Sequence, residues 1–230
     1  MTKVITFDLD DTLWDVRPAL VSAERAQNDY LNTHFPGALA DHDDASILGL
    51  KKSILSADPH LRNNISRFRQ VFLQHLLLGA GVQYEDALAG SESAFAAFMS
   101  KRNDVALFPT AEPMLAALAK DFTLGTLTNG NADVRQTSLG QYFSFAFRAE
   151  EVGAAKPAPD LFLKALDHAN IDAHQLVHVG DSHEHDVKGA LGIGAQAIWF
   201  SPSGEQSPEP DAVIHCLSEL PNLLDKQREQ

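Results

Sequence analysis

Three carboxylates fall close together in Asp8-Leu9-Asp10-Asp11-Thr12, directly after the apolar run Val4-Ile5-Thr6-Phe7. Like charges this near one another repel and raise each other's pKa. A divalent cation relieves that repulsion, and hard cations choose oxygen ligands. The same residue types also suit a polar turn or a helix N-cap. Taken alone, the stretch leaves a metal-assisted site and a capping turn both open.

Further along, the chain carries Thr128-Asn129-Gly130-Asn131, then Lys156-Pro157, then Gly180-Asp181-Ser182 with Asp186 five residues after Asp181. Each type has a use on a phosphate ester. A carboxylate can attack phosphorus and form an aspartyl-phosphate. A second carboxylate can protonate the leaving oxygen and then activate water. Mg²⁺ and a Lys can neutralise charge on the transferring group. A Thr hydroxyl and backbone N–H groups can bind phosphoryl oxygens. The plain alternatives are a solvated Lys before Pro157 and a helix-surface acid at Asp186.

These residues are useful only if the elements bring them to one place. The run over residues 3–8 reads as a strand buried on both faces, as in a parallel sheet. Further strands are expected at 122–127, near 145–148, at 176–179, at 197–200 and at 212–215. Helices are expected between them at 111–120, 132–139, 159–169 and 183–191, with a C-terminal helix after the last strand. That alternation predicts an α/β fold with a parallel sheet. In such a sheet ligands bind beyond the carboxyl ends of the strands, which is where the acids, Thr128 and Asp181 fall.

Between residues 15 and 103 nothing reads as a strand. A helix opening near Pro18 runs to about His34 and is broken by Pro36-Gly37 and the acidic patch at 41–44. Helices follow at 45–56, 61–78 and 84–101, the second of these with Leu61, Ile65, Phe68, Phe72 and Leu76 at helical spacing. The expected organisation is a Rossmann-like core of residues 1–14 and 104–230 with an inserted helical domain of residues 15–103.

Four motifs, in this order and each following an expected strand, resemble those of the haloacid-dehalogenase-like hydrolase superfamily. The helical insert resembles that family's α-helical cap. The resemblance implies a sheet with the first strand central, beside the strand that carries Asp181. It implies Asp8 as nucleophile and Mg²⁺ ligand. It implies Asp10 as general acid and base, with its backbone carbonyl on the metal. Thr128 would bind the phosphoryl group, aided by the Asn129 backbone, and Lys156 would hold the Asp8 carboxylate and the phosphate together. Asp181 would complete the metal site, and Asp186 would be a ligand through water or a partner of Lys156. Dehalogenases of the superfamily lack an acid at the position of Asp10, because a halide needs no proton to leave. Asp10 therefore favours a phosphatase; phosphomutases share it and stay open, as does a non-catalytic protein that keeps the fold and binds Mg²⁺.

Substrate choice is expected from Trp14, Arg17, Arg67 and Arg69, with Trp14 able to stack on a planar ring or simply to pack. The stretches Trp14-Asp15-Val16-Arg17-Pro18 and Arg67-Phe68-Arg69 are similar to bacterial phosphatases acting on flavin mononucleotide and on the phosphorylated ribitylamino-uracil precursor of riboflavin. Other signals are weaker. His183 and His185 are two apart and do not share a helix face. His178 reads as a hydrogen-bonded core histidine, and Cys216 as a packed residue.

Composition bounds the rest. The chain has 230 residues, a formal net charge of −13 and a single cysteine. One cysteine excludes a disulfide framework and a Cys-based zinc site. The acidity disfavours nucleic acid and anionic membrane as partners. The expected partner is a small phosphorylated metabolite, bound by a cytoplasmic monomer or homodimer with neither nucleic acid nor membrane involved.

Overall fold

A computed structural model describes residues 2–40 and 42–228; Asp41, within the acidic break expected after the first long helix, lies outside them. Six parallel strands form one sheet: β1 Val4–Phe7, β2 Thr123–Thr128, β3 Phe145–Arg148, β4 Leu176–Gly180, β5 Gln196–Phe200 and β6 Ala212–Ile214. Their order is β3-β2-β1-β4-β5-β6, so β1 is central and β4 is its neighbour. Every residue of β1 and β4 is buried. That explains why both read as unbroken apolar runs rather than as alternating ones.

Register sets the working edge. Phe7 pairs with Thr126 on one side and with Val179 on the other. The residues just past these pairs, Asp8, Leu127 and Gly180, therefore lie level across three adjacent strands. One glycine allows close packing behind this edge: a Cβ at Gly125 would lie 2.2 Å from the Phe145 ring.

The chain divides into two compact units, residues 1–16 with 106–230 and residues 17–105. The first contains the sheet, with helices α5 Ala111–Leu118, α6 Ala149–Val152, α7 Asp160–Ala169, α8 Lys188–Gly192 and α9 Leu220–Arg228. Leu161, Phe162, Ala165, Leu176 and Trp199 pack in one of its cores. The second unit is helical among its described residues. It holds α1, which spans Val16–His34, α2 Asp44–Ala57, α3 Ile65–Gly79 and α4 Tyr84–Arg102. It has its own core, where Leu31, Leu73, Leu76 and Leu77 are buried, each contributing about 1.5–3 kcal/mol of transfer free energy.

Three expected helices differ in detail. The helix expected over 61–78 begins only at Ile65, because Asn64 caps it by accepting the Arg67 N–H at 2.9 Å, and Pro59–Asn63 is a separate 3₁₀ turn. The helix expected over 132–139 is two 3₁₀ turns, Val134–Gln136 and Ser138–Tyr142. There the side chains of Asp133 and Thr137 each accept a nearby backbone N–H, restarting the turn instead of extending a helix. The helix expected over 183–191 opens with a π-turn, His183–Val187, before α8.

Candidate active site

Burying a lysine costs free energy unless acceptors meet its ammonium. Lys156 is 2 % exposed, and its Nζ donates to Asp8 Oδ1 at 2.8 Å, to Asp186 Oδ1 at 2.5 Å and to the Leu127 carbonyl at 2.5 Å. Its three protons thus have three acceptors. The backbone of Lys156 is held as well. Asn129 Oδ1 accepts the Lys156 N–H at 2.7 Å, and Asn129 Nδ2 donates to the Lys156 carbonyl at 2.9 Å. The end of β2 thereby fixes the lysine loop. Lys156 is no solvated residue, and Asp186 no surface acid.

Asp186 is gripped from three directions. Besides Lys156, His178 Nε2 lies 3.0 Å from its Oδ1, and the Ser182 N–H donates to Oδ2 at 3.0 Å. His178 Nδ1 in turn meets the Thr6 hydroxyl at 2.9 Å. Thr12 ties the first motif to the last. Its hydroxyl donates to Asp181 Oδ1 at 3.0 Å and accepts the Asp181 N–H at 3.1 Å. The indole N–H of Trp199 donates to the Asp181 carbonyl at 2.8 Å.

The turn after β1 has its own logic. Asp11 has φ +59°, the left-handed conformation that Asp tolerates better than most residues. Its N–H donates to the Trp14 carbonyl at 2.8 Å, and its side chain accepts the Val16 N–H at 3.1 Å. Asp11 shapes the turn. Trp14 then donates its indole N–H to Asp10 Oδ1 at 2.9 Å.

A pocket of about 210 Å³ opens among these groups, lined by Asp8, Asp10, Thr128, Asn129, Lys156 and Asp181, and also by Ser182, His185 and Asp186. Thr128 Oγ1 accepts the Gly130 N–H at 3.0 Å, which leaves its own proton to donate elsewhere.

The electrostatics of the pocket are uneven. Burial pushes the Asp8 carboxyl well above the ordinary carboxylate range, against the pull of Lys156 and with the push of Asp186. Burial also raises Asp181 to about 6, helped by the charge of Asp186. Asp186 goes the other way: burial opposes its ionisation, but Lys156 and His178 outweigh that and hold it below the usual range. Burial, then the neighbouring Lys156, lowers His178, so that imidazole is neutral near pH 7. Lys156 is raised although burial opposes its charge, because Asp186 and Asp8 outweigh burial. The single ammonium serves Asp186 first.

One carboxylate oxygen from each of Asp8, Asp181 and Asp186 lies within 4.8 Å of the other two. Lys156 meets only two of these three acids; with all three ionised the cluster carries an excess of two negative charges, which one divalent cation matches. An all-oxygen donor set fits a hard cation such as Mg²⁺.

Arg17 and Arg67 are exposed residues of the helical unit, at the start of α1 and of α3. Arg69 is half-buried there: its guanidinium lies 3.8 Å from the centroid of the Phe98 ring, donates to Gln27 Oε1 at 3.1 Å and pairs with Glu24. Trp14 departs from one of its two expected roles. Its side chain is fully buried and its N–H is engaged by Asp10, so it offers no ring face for a flavin or base to stack on. His178 is the hydrogen-bonded core histidine expected, buried and bonded to Thr6 and Asp186. Thr12 and Trp199 enter the network without an assigned role in the sequence.

Parallel strands, a carboxylate cluster just past the first strand and a buried Lys between two acids define a class of hydrolase. Residues 2–194 match the family described as haloacid dehalogenase-like hydrolase, and the chain belongs to it. The 5-amino-6-(5-phospho-D-ribitylamino)uracil phosphatase YigB of Escherichia coli (strain K12) is 34% identical over 200 residues, covering 87% of this chain and 84% of that protein. A glyceraldehyde 3-phosphate phosphatase of Pyrococcus abyssi is 29% identical, covering 87% and 82%. The crystal structure of a 2-haloacid dehalogenase from Pseudomonas syringae pv. tomato DC3000 superposes with a TM-score of 0.94 at 43% identity, covering 99% of this chain and all of that one. The chain is an enzyme of this family, of the phosphatase kind that its curated relatives represent.

Proposed function

We propose that the chain is a Mg²⁺-dependent phosphomonoesterase that works through an aspartyl-phosphate at Asp8, on a small phosphorylated metabolite of the riboflavin pathway or flavin mononucleotide. The observation that carries the reading is Asp10, a carboxyl group lining the same pocket as Asp8, Lys156 and Asp181. An alkoxide leaving group needs a proton, and a halide does not.

In the first step an Asp8 oxygen attacks phosphorus in line. The new O–P bond forms as the bond to the leaving oxygen breaks, and Asp10 gives that oxygen its proton. In the second step Asp10, now ionised, takes a proton from water. The water oxygen attacks phosphorus, the Asp8–phosphorus bond breaks, and phosphate is released. Lys156 keeps the Asp8 carboxylate oriented and balances charge on the phosphoryl oxygens, while Thr128 and the Asn129 backbone donate to them. Asp8 and Asp181, with the Asp10 carbonyl, would hold Mg²⁺, which supplies neutralising charge at the transferring group. Asp186 acts by orienting Lys156. In this reading the helical unit is a cap, and Arg17, Arg67 and Arg69 contribute to substrate choice. Trp14, fully buried, offers the substrate no stacking face. At about 210 Å³ the pocket suits the reacting phosphoryl group rather than a whole metabolite. We place the enzyme in the cytoplasm, with its metabolite.

The match to a haloacid dehalogenase supports a second reading, halide displacement from a 2-haloacid by the same Asp8. One screen separates the two. Purified protein with Mg²⁺ is offered flavin mononucleotide, the phosphorylated ribitylamino-uracil, sugar phosphates, nucleotides and 2-chloropropionate. Phosphate release without chloride release is expected, and EDTA abolishes it. Chloride release without phosphate release overturns the proposal.

A further inference from the structure

Trp14 has a role that packing does not explain. Its ring is fully buried, and its backbone is pinned on both sides: its carbonyl accepts the Asp11 N–H at 2.8 Å, and it pairs with Leu107 in an antiparallel bridge. A buried indole N–H needs an acceptor, because leaving it unmet costs about 1–3 kcal/mol. The acceptor here is not a backbone carbonyl but Asp10 Oδ1, at 2.9 Å. An indole N–H can only donate. It therefore holds Oδ1 as an acceptor whether or not the carboxyl carries a proton.

We propose that Trp14 is a positioning residue for the acid step: its N–H, donated to Asp10 Oδ1, helps hold the Asp10 carboxyl in the rotation from which it gives up its proton. The inference rests on Asp10 as the proton donor of the proposed phosphatase reaction. In that step the carboxyl O–H bond of Asp10 breaks, the proton goes to the leaving oxygen, and the phosphorus–oxygen bond breaks. Misaligning the donor matters when the leaving group is a poor one, and hardly at all when it departs as a stable anion.

Trp14→Phe keeps most of the ring and removes the N–H. The probes are an alkyl phosphate turned over by the wild type and 2,4-dinitrophenyl phosphate, whose leaving group needs no proton. The readout is kcat/KM, which reports the path through release of the leaving group and not the later hydrolysis of the aspartyl-phosphate. Expected is a loss of at least about tenfold on the alkyl ester, within the range of general acid catalysis, and a change under about twofold on the dinitrophenyl ester. An equal loss on both esters makes Trp14 a structural residue and overturns the proposal, as does no loss on either. Should Trp14→Phe fail to fold, a benzothienylalanine placed at position 14 keeps the ring shape without the N–H and is judged by the same outcomes. If the wild type hydrolyses neither ester, it is the phosphatase reading that fails, not the positioning role.

Discussion

At the scale of single residues, one ammonium, that of Lys156, meets Asp8, Asp186 and the Leu127 carbonyl. Asp186, paired with it and with His178, is ionised through the working range. Asp181 has no such cation, and burial raises it to about 6. The sign follows. At pH 5 Asp181 is mostly protonated and a metal must displace that proton; at pH 7.5 it is ionised and ready to bind. Mg²⁺ at a fixed, subsaturating concentration should therefore raise the thermal unfolding temperature more at pH 7.5 than at pH 5. Asp181→Asn should flatten the difference, and an equal shift at both pH values would argue against Asp181 as a ligand. The acids and Lys156 were legible because four motifs in order, each after an expected strand, resemble those of the family; residue type alone left a capping turn and a solvated Lys open. The links made by Trp14 and His178 were not legible. A buried aromatic or imidazole packs equally well with its N–H pointing elsewhere, and only the folded rotamer decides.

At the scale of elements, the register of β1 against β2 and β4 levels Asp8 with Gly180. Gly180 is a glycine for a local reason. A Cβ there would lie 2.3 Å from the Asp186 carboxyl group. Gly180→Ala should push Asp186 off Lys156, costing about 1–3 kcal/mol of stability as an overpacking change. It should also lower kcat at least about tenfold, equivalent to roughly 1.4 kcal/mol of barrier. Denaturant unfolding and steady-state kinetics check the two effects; unchanged kcat would mean that Asp186 does not set the lysine. All six strands were legible to within about two residues, because runs such as Leu176-Val177-His178-Val179 have little choice but a buried strand. The segment 132–139 was not: its apolar spacing suggests a helix, while Asp133 and Thr137 cap from within. The four-residue helix Ala149–Val152 was too short to show any period.

At the scale of the whole molecule, each of the two units has an apolar core of its own. The helical insert was legible as an absence of strands between 15 and 103, but how its cations are held was not. Arg69 illustrates why. The sequence offers it as a cation for the substrate, while the fold stacks it on Phe98 and ties it to Gln27 and Glu24. No helix among the described residues is long and apolar enough to cross a membrane. With a formal net charge of −13, the protein as a whole repels anions, so an anionic substrate depends on local cations: Lys156 and the metal its acids would hold. The central claim is that Asp8 forms a bond to phosphorus. It is tested most directly by acid-quenching the enzyme with its best phosphate ester and Mg²⁺ during turnover, then mapping the modification by mass spectrometry. One phosphoryl group on Asp8 in the wild type, and none together with no turnover in Asp8→Asn, is the predicted result; an Asp8→Asn enzyme that still releases phosphate at an appreciable rate would contradict it.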